Sequence, residues 1–166
     1  MIVVLMGVAG SGKTTIGRAL AASLYWPFYD ADDFHPPANV AKMAAGIPLT
    51  DDDRWPWLDR IAAALVKAGA DDGNAVLACS ALRQSYRDRL ARAGNVRLVF
   101  LKGDLATIAE RLAVRSHKYM PASLLPSQFA TLEEPTDALV IDTRTDPQAQ
   151  VAAIREGLRL SPANAA

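Results

Sequence analysis

A glycine-rich segment near the start of the chain limits what the protein can fold into more than any other feature. Residues 7–14 fit the pattern G-x-x-x-x-G-K-S/T at every fixed position. The apolar run Ile2–Met6 precedes this segment, and a helical pattern over Thr14–Leu24 follows it at once. A strand, a glycine loop and a helix in this order let several backbone N–H groups point into one concavity. The sequence therefore predicts a phosphate-binding loop, or P-loop, between the first strand and the first helix.

The P-loop motif predicts which residues bind the nucleotide. Those expected to hold the nucleotide are Gly7, Val8, Ala9, Gly10, Ser11, Gly12, Lys13, Thr14 and Thr15. Lys13 should reach the β- and γ-phosphates of ATP, and the Thr14 hydroxyl should ligate Mg²⁺. The first helix adds the positive end of its dipole. The motif indicates a nucleotide but does not specify a reaction.

The rest of the chain alternates between apolar runs and helical patterns. Strands are predicted at Ile2–Met6, Ala75–Cys79, Val96–Leu101 and Ala138–Ile141, with a weaker one at Pro27–Tyr29. Helices are predicted at Thr14–Leu24, Trp57–Ala68, Arg83–Ala93, Leu105–Val114 and Pro147–Leu160. Strands that alternate with helices, and that are apolar throughout, favour a parallel sheet covered on both faces. The fold class is therefore α/β.

Composition excludes several kinds of partner. The 166 residues suit one domain, predicted over residues 1–166, and 18 basic residues balance 18 acidic ones. A net charge of zero argues against binding to nucleic acid or to an anionic membrane through bulk charge. Cys79 is the single cysteine, which favours a reducing compartment, and no secretory or membrane-spanning segment is evident. These features predict a cytoplasmic location.

The nucleotide could serve a kinase, a GTPase or a motor ATPase. No base-reading N-K-x-D motif is present, and the chain lacks the extra mass of a typical motor. The segment from about 31 to 57 is long and only patchily helical, and insertions of this length are usually functional. A short P-loop protein with such an insertion suits a small-molecule kinase. A regulatory nucleotide-binding module without an acceptor is the alternative.

Two carboxylates are placed to act at the phosphate site. Asp30 and Asp32 lie at the carboxyl end of the weak second strand, where ligands collect in open α/β sheets. If this segment is extended, the two side chains point the same way. Asp30 is expected to hold Mg²⁺ through water, and Asp32 to take a proton from an acceptor hydroxyl. The alternative is a polar turn, in which Asp is common.

Four blocks in order resemble the gluconokinases. Residues 30–36 are similar to that family's D-x-D-x-x-H-P segment, and residues 42–58 to its K-M-x-x-G-x-P-L-x-D-D-D-R-x-x-W-L block. Residues 79–88 resemble C-S-A-L-x-x-x-Y-R-D, and residues 128–135 resemble Q-F-x-T-L-E-x-P. The blocks extend from the P-loop to the last strand, so the resemblance covers nearly the whole chain.

The resemblance implies both an activity and a fold. The family phosphorylates the 6-hydroxyl of D-gluconate with ATP and Mg²⁺, which predicts gluconate as the acceptor here. It also implies an adenylate-kinase-like fold with a five-stranded parallel sheet, a lid and a homodimer. Shikimate, another small polyol or a nucleoside monophosphate are the alternative acceptors within kinases.

Gluconate needs a cation for its carboxylate and polar groups for its hydroxyls. The predicted substrate residues are Asp32, His35, Lys42, Arg54, Arg83 and Gln128. Arg54 and Arg83 are preferred for the carboxylate, because a guanidinium can contact it in a bidentate manner. Arg87 is a further candidate, although a place on a solvated helix face is favoured for it. His35 could instead cap a turn.

Neighbouring residues have plainer interpretations. The run Asp51–Asp53 should cap the helix that follows and hold Arg54 in place. Cys79 ends a buried strand and should be an inert core thiol.

A lid is predicted at about residues 115–130. Adenylate-kinase-like enzymes carry a spaced Arg pair here, which implies that Arg111 stacks on adenine and that Arg115 neutralises the transferring phosphoryl group. The alternative is a pair on one solvated helix face. Members of the family often read R-x-x-H-F-M-P, whereas this chain has Lys118 at the His position and His117 beside it.

Overall fold

The computed structural model describes residues 1–70, 73–114 and 124–162, without the side chain of Val114. Its strands are β1 (Ile2–Met6), β2 (Phe28–Asp30), β3 (Ala75–Ala78), β4 (Val96–Lys102) and β5 (Leu139–Asp142). Its α-helices are α1 (Lys13–Leu24), α2 (Pro37–Ala44), α3 (Asp51–Ala68), α4 (Gln84–Ala91), α5 (Leu105–Val114), α6 (Leu125–Thr131) and α7 (Pro147–Gly157). A short 3-10 helix covers Ala31–Phe34. Within these described ranges, no helix combines the length and apolarity needed to cross a membrane.

The strands form one parallel sheet in the order β2-β3-β1-β4-β5. Strand β1 is central, and all five of its residues are buried. Such uniform burial is typical of a parallel strand with helices on both faces. The predicted α/β class and five-stranded parallel sheet are confirmed.

Two apolar layers cover the sheet. On one face, Leu58 and Ile61 of α3 and Leu90 of α4 pack with Val4 of β1. The opposite face receives side chains of α1 and α7, including Leu20 and Ile154, which pack with Val3 and Leu5. Alternate residues of β1 therefore serve opposite layers, as the twofold alternation of a strand requires.

The segment after β2 is more helical than the sequence predicts. It contains the 3-10 helix and α2, and α3 begins at Asp51 rather than at Trp57. The cause is a capping box, in which Thr50 and Asp53 each accept a hydrogen bond from the other's backbone N–H. Pro56 lies in the second turn of this helix, although proline has no N–H to donate within it. The seven-residue helix α6 was also not predicted.

Arg87 is buried, so the prediction that it lies on a solvated helix face is wrong. Only 3% of the residue is exposed. Its Nη1 donates hydrogen bonds to the carbonyl oxygens of Ala81 at 3.0 Å and Leu82 at 3.2 Å. Ala81 has a φ of 44°, which is unfavourable for a residue with a side chain. Arg87 therefore ties the strained loop between β3 and α4 to the helix that follows it.

Replacing Arg87 by methionine should destabilise the protein strongly. The substitution Arg87→Met removes the donors but leaves the buried carbonyls of Ala81 and Leu82 without them. Loss of charged hydrogen bonds of this kind costs about 2 kcal/mol or more. Chemical denaturation should show that decrease in the free energy of unfolding. The exposed Arg92 provides the control, because Arg92→Met should change it by no more than about 0.5 kcal/mol. Equal effects of the two substitutions would contradict the assigned role.

Candidate active site

The P-loop follows β1 at the carboxyl edge of the sheet. Gly7 has a φ of 142°, and an added Cβ would lie 2.8 Å from the carbonyl oxygen of Leu101. Gly12 has a φ of 98° at the start of α1, again a conformation that favours glycine. The Ser11 hydroxyl, in a residue only 1% exposed, has no hydrogen-bond partner among the described residues. The loop therefore offers a close backbone approach and an unsatisfied polar group, both of which suit a phosphate.

Lys13 lies folded against the loop. Its Nζ donates to the carbonyl oxygens of Gly7 at 3.0 Å and Val8 at 2.9 Å. Burial lowers the pKa of Lys13, while the negative charges of Asp32 and Asp30 oppose that shift. Nearby Cys79 is only 1% exposed, and burial raises the pKa of its thiol to about 12. The prediction that Cys79 lies in the core is confirmed, and its lack of reactivity stays a prediction.

Asp30 joins the P-loop to the acceptor segment. One carboxylate oxygen accepts a hydrogen bond from the Thr14 hydroxyl at 2.9 Å, and the other accepts from the backbone N–H of Asp32 at 3.2 Å. Asp32 lies in the 3-10 helix, so the expectation of an extended Asp30–Asp32 segment is wrong beyond Asp30. The Asp30 carboxylate caps this helix by accepting a hydrogen bond from the Asp32 N–H. This hydrogen bond, and not the side-chain alternation of an extended strand, holds Asp32 next to Asp30.

Gln128 of α6 contacts the P-loop. Its Oε1 accepts a hydrogen bond from the Ala9 N–H at 2.6 Å, and the residue is buried. Around it, Leu125 and Phe129 pack with Val8 of the loop. The structure thus places Gln128 against the P-loop. Its predicted contact with a substrate hydroxyl stays a prediction.

His35 is fixed by an aromatic stack. Its ring lies parallel to Trp57 with the centroids 4.3 Å apart, and Trp57 donates through Nε1 to the Ala31 carbonyl at 2.7 Å. The Asn39 amide nitrogen lies 3.4 Å from Nδ1 of His35, a contact that favours the neutral tautomer with its proton on Nε2. Nε2 lies 4.0 Å from Asp32 Oδ1. Burial, with the positive charge of Arg54 second, lowers the pKa of His35 to about 4.

Arg54 and Arg83 meet at Asp51. Arg54 donates to one carboxylate oxygen of Asp51 at 3.3 Å, and Arg83 donates to the other at 2.8 Å. The Tyr86 hydroxyl also donates to Asp51, at 2.5 Å. The Tyr86 hydrogen bond and the two guanidinium charges lower the pKa of Asp51. The structure brings together the two arginines predicted for a carboxylate, and Asp51 contacts Arg54 as the sequence predicted.

Lys42 pairs with the capping residue of α3. Its Nζ lies 2.7 Å from Oδ1 and 2.8 Å from Oδ2 of Asp53. The hydrogen bond from Lys42, with further ones from Thr50, lowers the pKa of Asp53 to about 2. Lys42 therefore joins α2 to the start of α3. Its predicted contact with substrate stays a prediction.

The residues predicted at the nucleotide lid divide into two groups. Arg111 is half-buried at the end of α5 and donates from Nη2 to the Thr143 carbonyl, in the turn after β5. The interpretation of Arg111 as part of a solvated pair is therefore incomplete, because its guanidinium is anchored. Arg115, His117 and Lys118 lie outside the described residues, and so do residues 115–123 of the lid predicted at about 115–130.

Three residues of the site were not identified from the sequence. Asn39 is buried at 4% exposure and also donates to the Asp53 carbonyl at 2.9 Å, while Trp57 supports His35 and Tyr86 contacts both arginines. All three lie in or beside blocks of the family resemblance, which was the available signal. Their roles depend on contacts across the chain that local patterns do not encode.

The fold and the site together define a P-loop kinase. The family model described as shikimate kinase matches residues 9–155, most of the chain. A gluconokinase from Gluconobacter oxydans (strain 621H) is 52% identical over 139 residues, which cover 81% of this chain and 76% of that protein.

Solved structures agree with the sequence comparison. A sugar kinase from Janibacter sp. HTCC2649 has a TM-score of 0.90 at 42% identity and covers 97% of this chain and 95% of its own. A gluconokinase from Sinorhizobium meliloti 1021 has a TM-score of 0.78 at 41% identity, covering 95% and 94%. The chain belongs to the shikimate-kinase family of P-loop kinases and, within it, to the gluconokinases.

The lowered pKa of His35 predicts a pH dependence of stability. The unfolded chain binds a proton near pH 6.5, whereas the folded protein binds it only near pH 4. The unfolded state therefore holds more protons between these values, and stability should fall as the pH drops through this window. One such group contributes a slope of at most about 1.4 kcal/mol per pH unit.

Denaturation curves from pH 7 to pH 5 measure that slope. His35→Gln should reduce it, because glutamine does not titrate. The control is His117→Gln, which removes the chain's only other histidine and should leave the His35 contribution in place. A slope that survives His35→Gln unchanged would refute the assignment.

Proposed function

We propose that this protein transfers the γ-phosphoryl group of ATP to the 6-hydroxyl of D-gluconate, forming ADP and 6-phospho-D-gluconate. The name of the Gluconobacter oxydans relative supports this choice of acceptor. The observation that carries the proposal is the link from Thr14 through Asp30 to Asp32. It sets a carboxylate suited to an alcohol next to a loop suited to phosphate.

The P-loop residues from Gly7 to Thr15 bind the triphosphate in this proposal. Backbone N–H groups and the Ser11 hydroxyl receive phosphate oxygens, and Lys13 exchanges its carbonyl contacts for the β- and γ-phosphates. Thr14 and Asp30 present adjacent hydroxyl and carboxylate oxygens, which are the ligands that Mg²⁺ prefers. Bound Mg²⁺ would supply neutralisation of phosphate charge.

Gluconate binds at the helices that follow β2 and β3. Arg54 and Arg83 receive its carboxylate, because planar guanidinium groups match carboxylate geometry. His35 donates from Nε2 to a sugar hydroxyl, since its lowered pKa keeps the ring neutral at pH 7. Lys42 of α2 and Gln128 of α6 supply further polar contacts to gluconate in this proposal.

Asp32 orients and deprotonates the acceptor. Its carboxylate accepts the proton of the 6-hydroxyl as the alcohol oxygen bonds to the γ-phosphorus. The bond from that phosphorus to the bridging oxygen of ADP breaks in the same displacement. Positioning and charge stabilisation supply most of the acceleration in such transfers, so a well-placed carboxylate and a fixed loop are the essential parts.

A closing lid completes the kinase in this proposal. Arg111 stacks on adenine, and Arg115 neutralises charge on the transferring group when the lid over residues 115–130 excludes water. The domain over residues 1–166 acts as one kinase unit with its acceptor insertion at about 31–57. We also propose a cytoplasmic homodimer.

An ADP-release assay with a panel of acceptors tests the assignment. Gluconate should be consumed with ADP formation at a rate well above that with shikimate, nucleoside monophosphates or no acceptor. A higher rate with shikimate or a nucleoside monophosphate would show that the protein is a different kinase of the same fold. If no acceptor stimulates ADP release, the chain would instead be a nucleotide-binding module.

Removal of the proposed base should abolish most turnover. Asp32→Ala should lower kcat with gluconate by about 10²-fold or more, the usual contribution of a positioned base. ATP binding, measured by calorimetry, should persist because the P-loop is unchanged. The neighbouring exposed Asp33 gives the matched control, and Asp33→Ala should leave kcat close to wild type. Full activity in Asp32→Ala would remove Asp32 from the mechanism.

A further inference from the structure

Four side chains form a closed cluster beside the proposed acceptor site. We call it the arginine cage, and its members are Asp51, Arg54, Tyr86 and Arg83. Asp51 accepts one hydrogen bond from each of the other three. Arg54 also donates to the Tyr86 hydroxyl at 3.2 Å. Each arginine therefore has its direction fixed by a carboxylate that belongs to the protein.

Tyr86 is the buried aromatic member of the arginine cage. The residue is only 3% exposed, and its ring lies 5.5 Å from the guanidinium carbon of Arg54 and 6.0 Å from that of Arg83. Both distances are within the range of a cation–π interaction. Trp55 meets the same ring edge-on at 5.7 Å, which prevents it from turning freely. The Tyr86 ring, held in place by Trp55, thus packs against both guanidinium groups.

The charges of the arginine cage do not cancel. Two guanidinium groups carry two positive charges and Asp51 carries one negative charge, which leaves a net charge of one. The side chains of Arg54 and Arg83 are 26% and 42% exposed, so both remain reachable from solvent. A single positive charge held in fixed geometry matches an acid with one carboxylate, such as an aldonate.

We propose that Asp51 and Tyr86 are positioning residues that preset Arg54 and Arg83 for the single carboxylate of a sugar acid. This inference rests on the proposed function. Asp51 acts through the arginines and does not itself touch the acceptor. The cage thereby selects an acid over the neutral polyol of the same length, because a neutral ligand gains nothing from the remaining charge.

Preorganisation explains why the protein keeps a carboxylate beside an anion site. Two free arginines would each lose rotamer freedom when they bound substrate, and that ordering weakens affinity. Asp51 and Tyr86 impose this ordering during folding instead. The repulsion between Asp51 and the incoming carboxylate is outweighed, in this proposal, by two guanidinium groups already aligned to receive it.

Steady-state kinetics with gluconate test the role of Asp51. Asp51→Asn should raise the KM for gluconate about tenfold or more, the effect of losing one charged hydrogen bond. Its kcat should stay within about twofold of wild type, and so should its KM for ATP. The inhibition constant of D-glucitol, the neutral polyol, should change much less than the KM for gluconate. The ratio of the two constants, which measures the preference for the acid over the polyol, should therefore fall.

The matched control is Asp52→Asn. Asp52 is the next residue of α3 and is exposed, and the substitution removes the same charge from the same helix turn. It should leave the KM for gluconate close to wild type, and thermal midpoints should verify that both variants fold. Tyr86→Phe keeps the ring and should raise that KM less than Asp51→Asn does; no rise would overturn the role of the Tyr86 hydroxyl.

A second measurement does not depend on activity. Nitrogen-15 relaxation of the arginine Nε–Hε groups should report high order for Arg54 and Arg83 in the wild type and lower order for both in Asp51→Asn. Unchanged order would overturn the positioning role. A lower KM for gluconate in Asp51→Asn would also overturn it, because Asp51 would then be a competitor for the arginines.

Two different results separate a wrong acceptor from a wrong role of Asp51. A wild-type protein that releases no ADP with gluconate refutes the proposed function and the acceptor of the cage together. An active wild type whose KM for gluconate does not change in Asp51→Asn refutes the positioning role alone.

Discussion

Strand β1 pairs with β3 on one side and with β4 on the other, in parallel on both. This pairing is the constraint on which the site depends, because parallel strands bring all their carboxyl ends to one edge. The P-loop, Asp30 and the loop before α4 leave the sheet together there. The Gly7 N–H donates to the Ser80 carbonyl at 3.3 Å, which joins two of these segments directly. The P-loop and the loop before α4 therefore each follow a fully buried strand, and Asp30 ends the half-buried strand β2.

Buried polar contacts hold the connecting segments in place. Arg87 ties down the loop before α4, Trp57 anchors the 3-10 helix at Ala31, and Gln128 braces the P-loop at Ala9. In each case a side chain satisfies a backbone group that would be costly to bury alone. Segments without regular structure thus gain the rigidity that positioned catalysis requires.

Charge is distributed so that the two halves of the site have different tasks. Lys13 rests on carbonyl oxygens at the phosphate end, close to the carboxylates of Asp30 and Asp32. At the far end, the arginine cage keeps one positive charge in excess. His35 lies between them and stays neutral because it is buried near Arg54. A neutral donor between a base and a cationic group suits a ligand with hydroxyls along its length.

The sequence by itself determined the P-loop, the parallel sheet and most strands and helices, because these follow from motifs and periodicities among residues close along the chain. Only the tertiary structure decided which groups meet. Arg83 and Asp51 are 32 residues apart, Ala9 and Gln128 are 119 apart, and the burial of Arg87 depends on a loop folding over it. Local patterns identify which residue types are present, whereas burial and hydrogen bonding between distant segments fix their partners, their charge states and hence their roles.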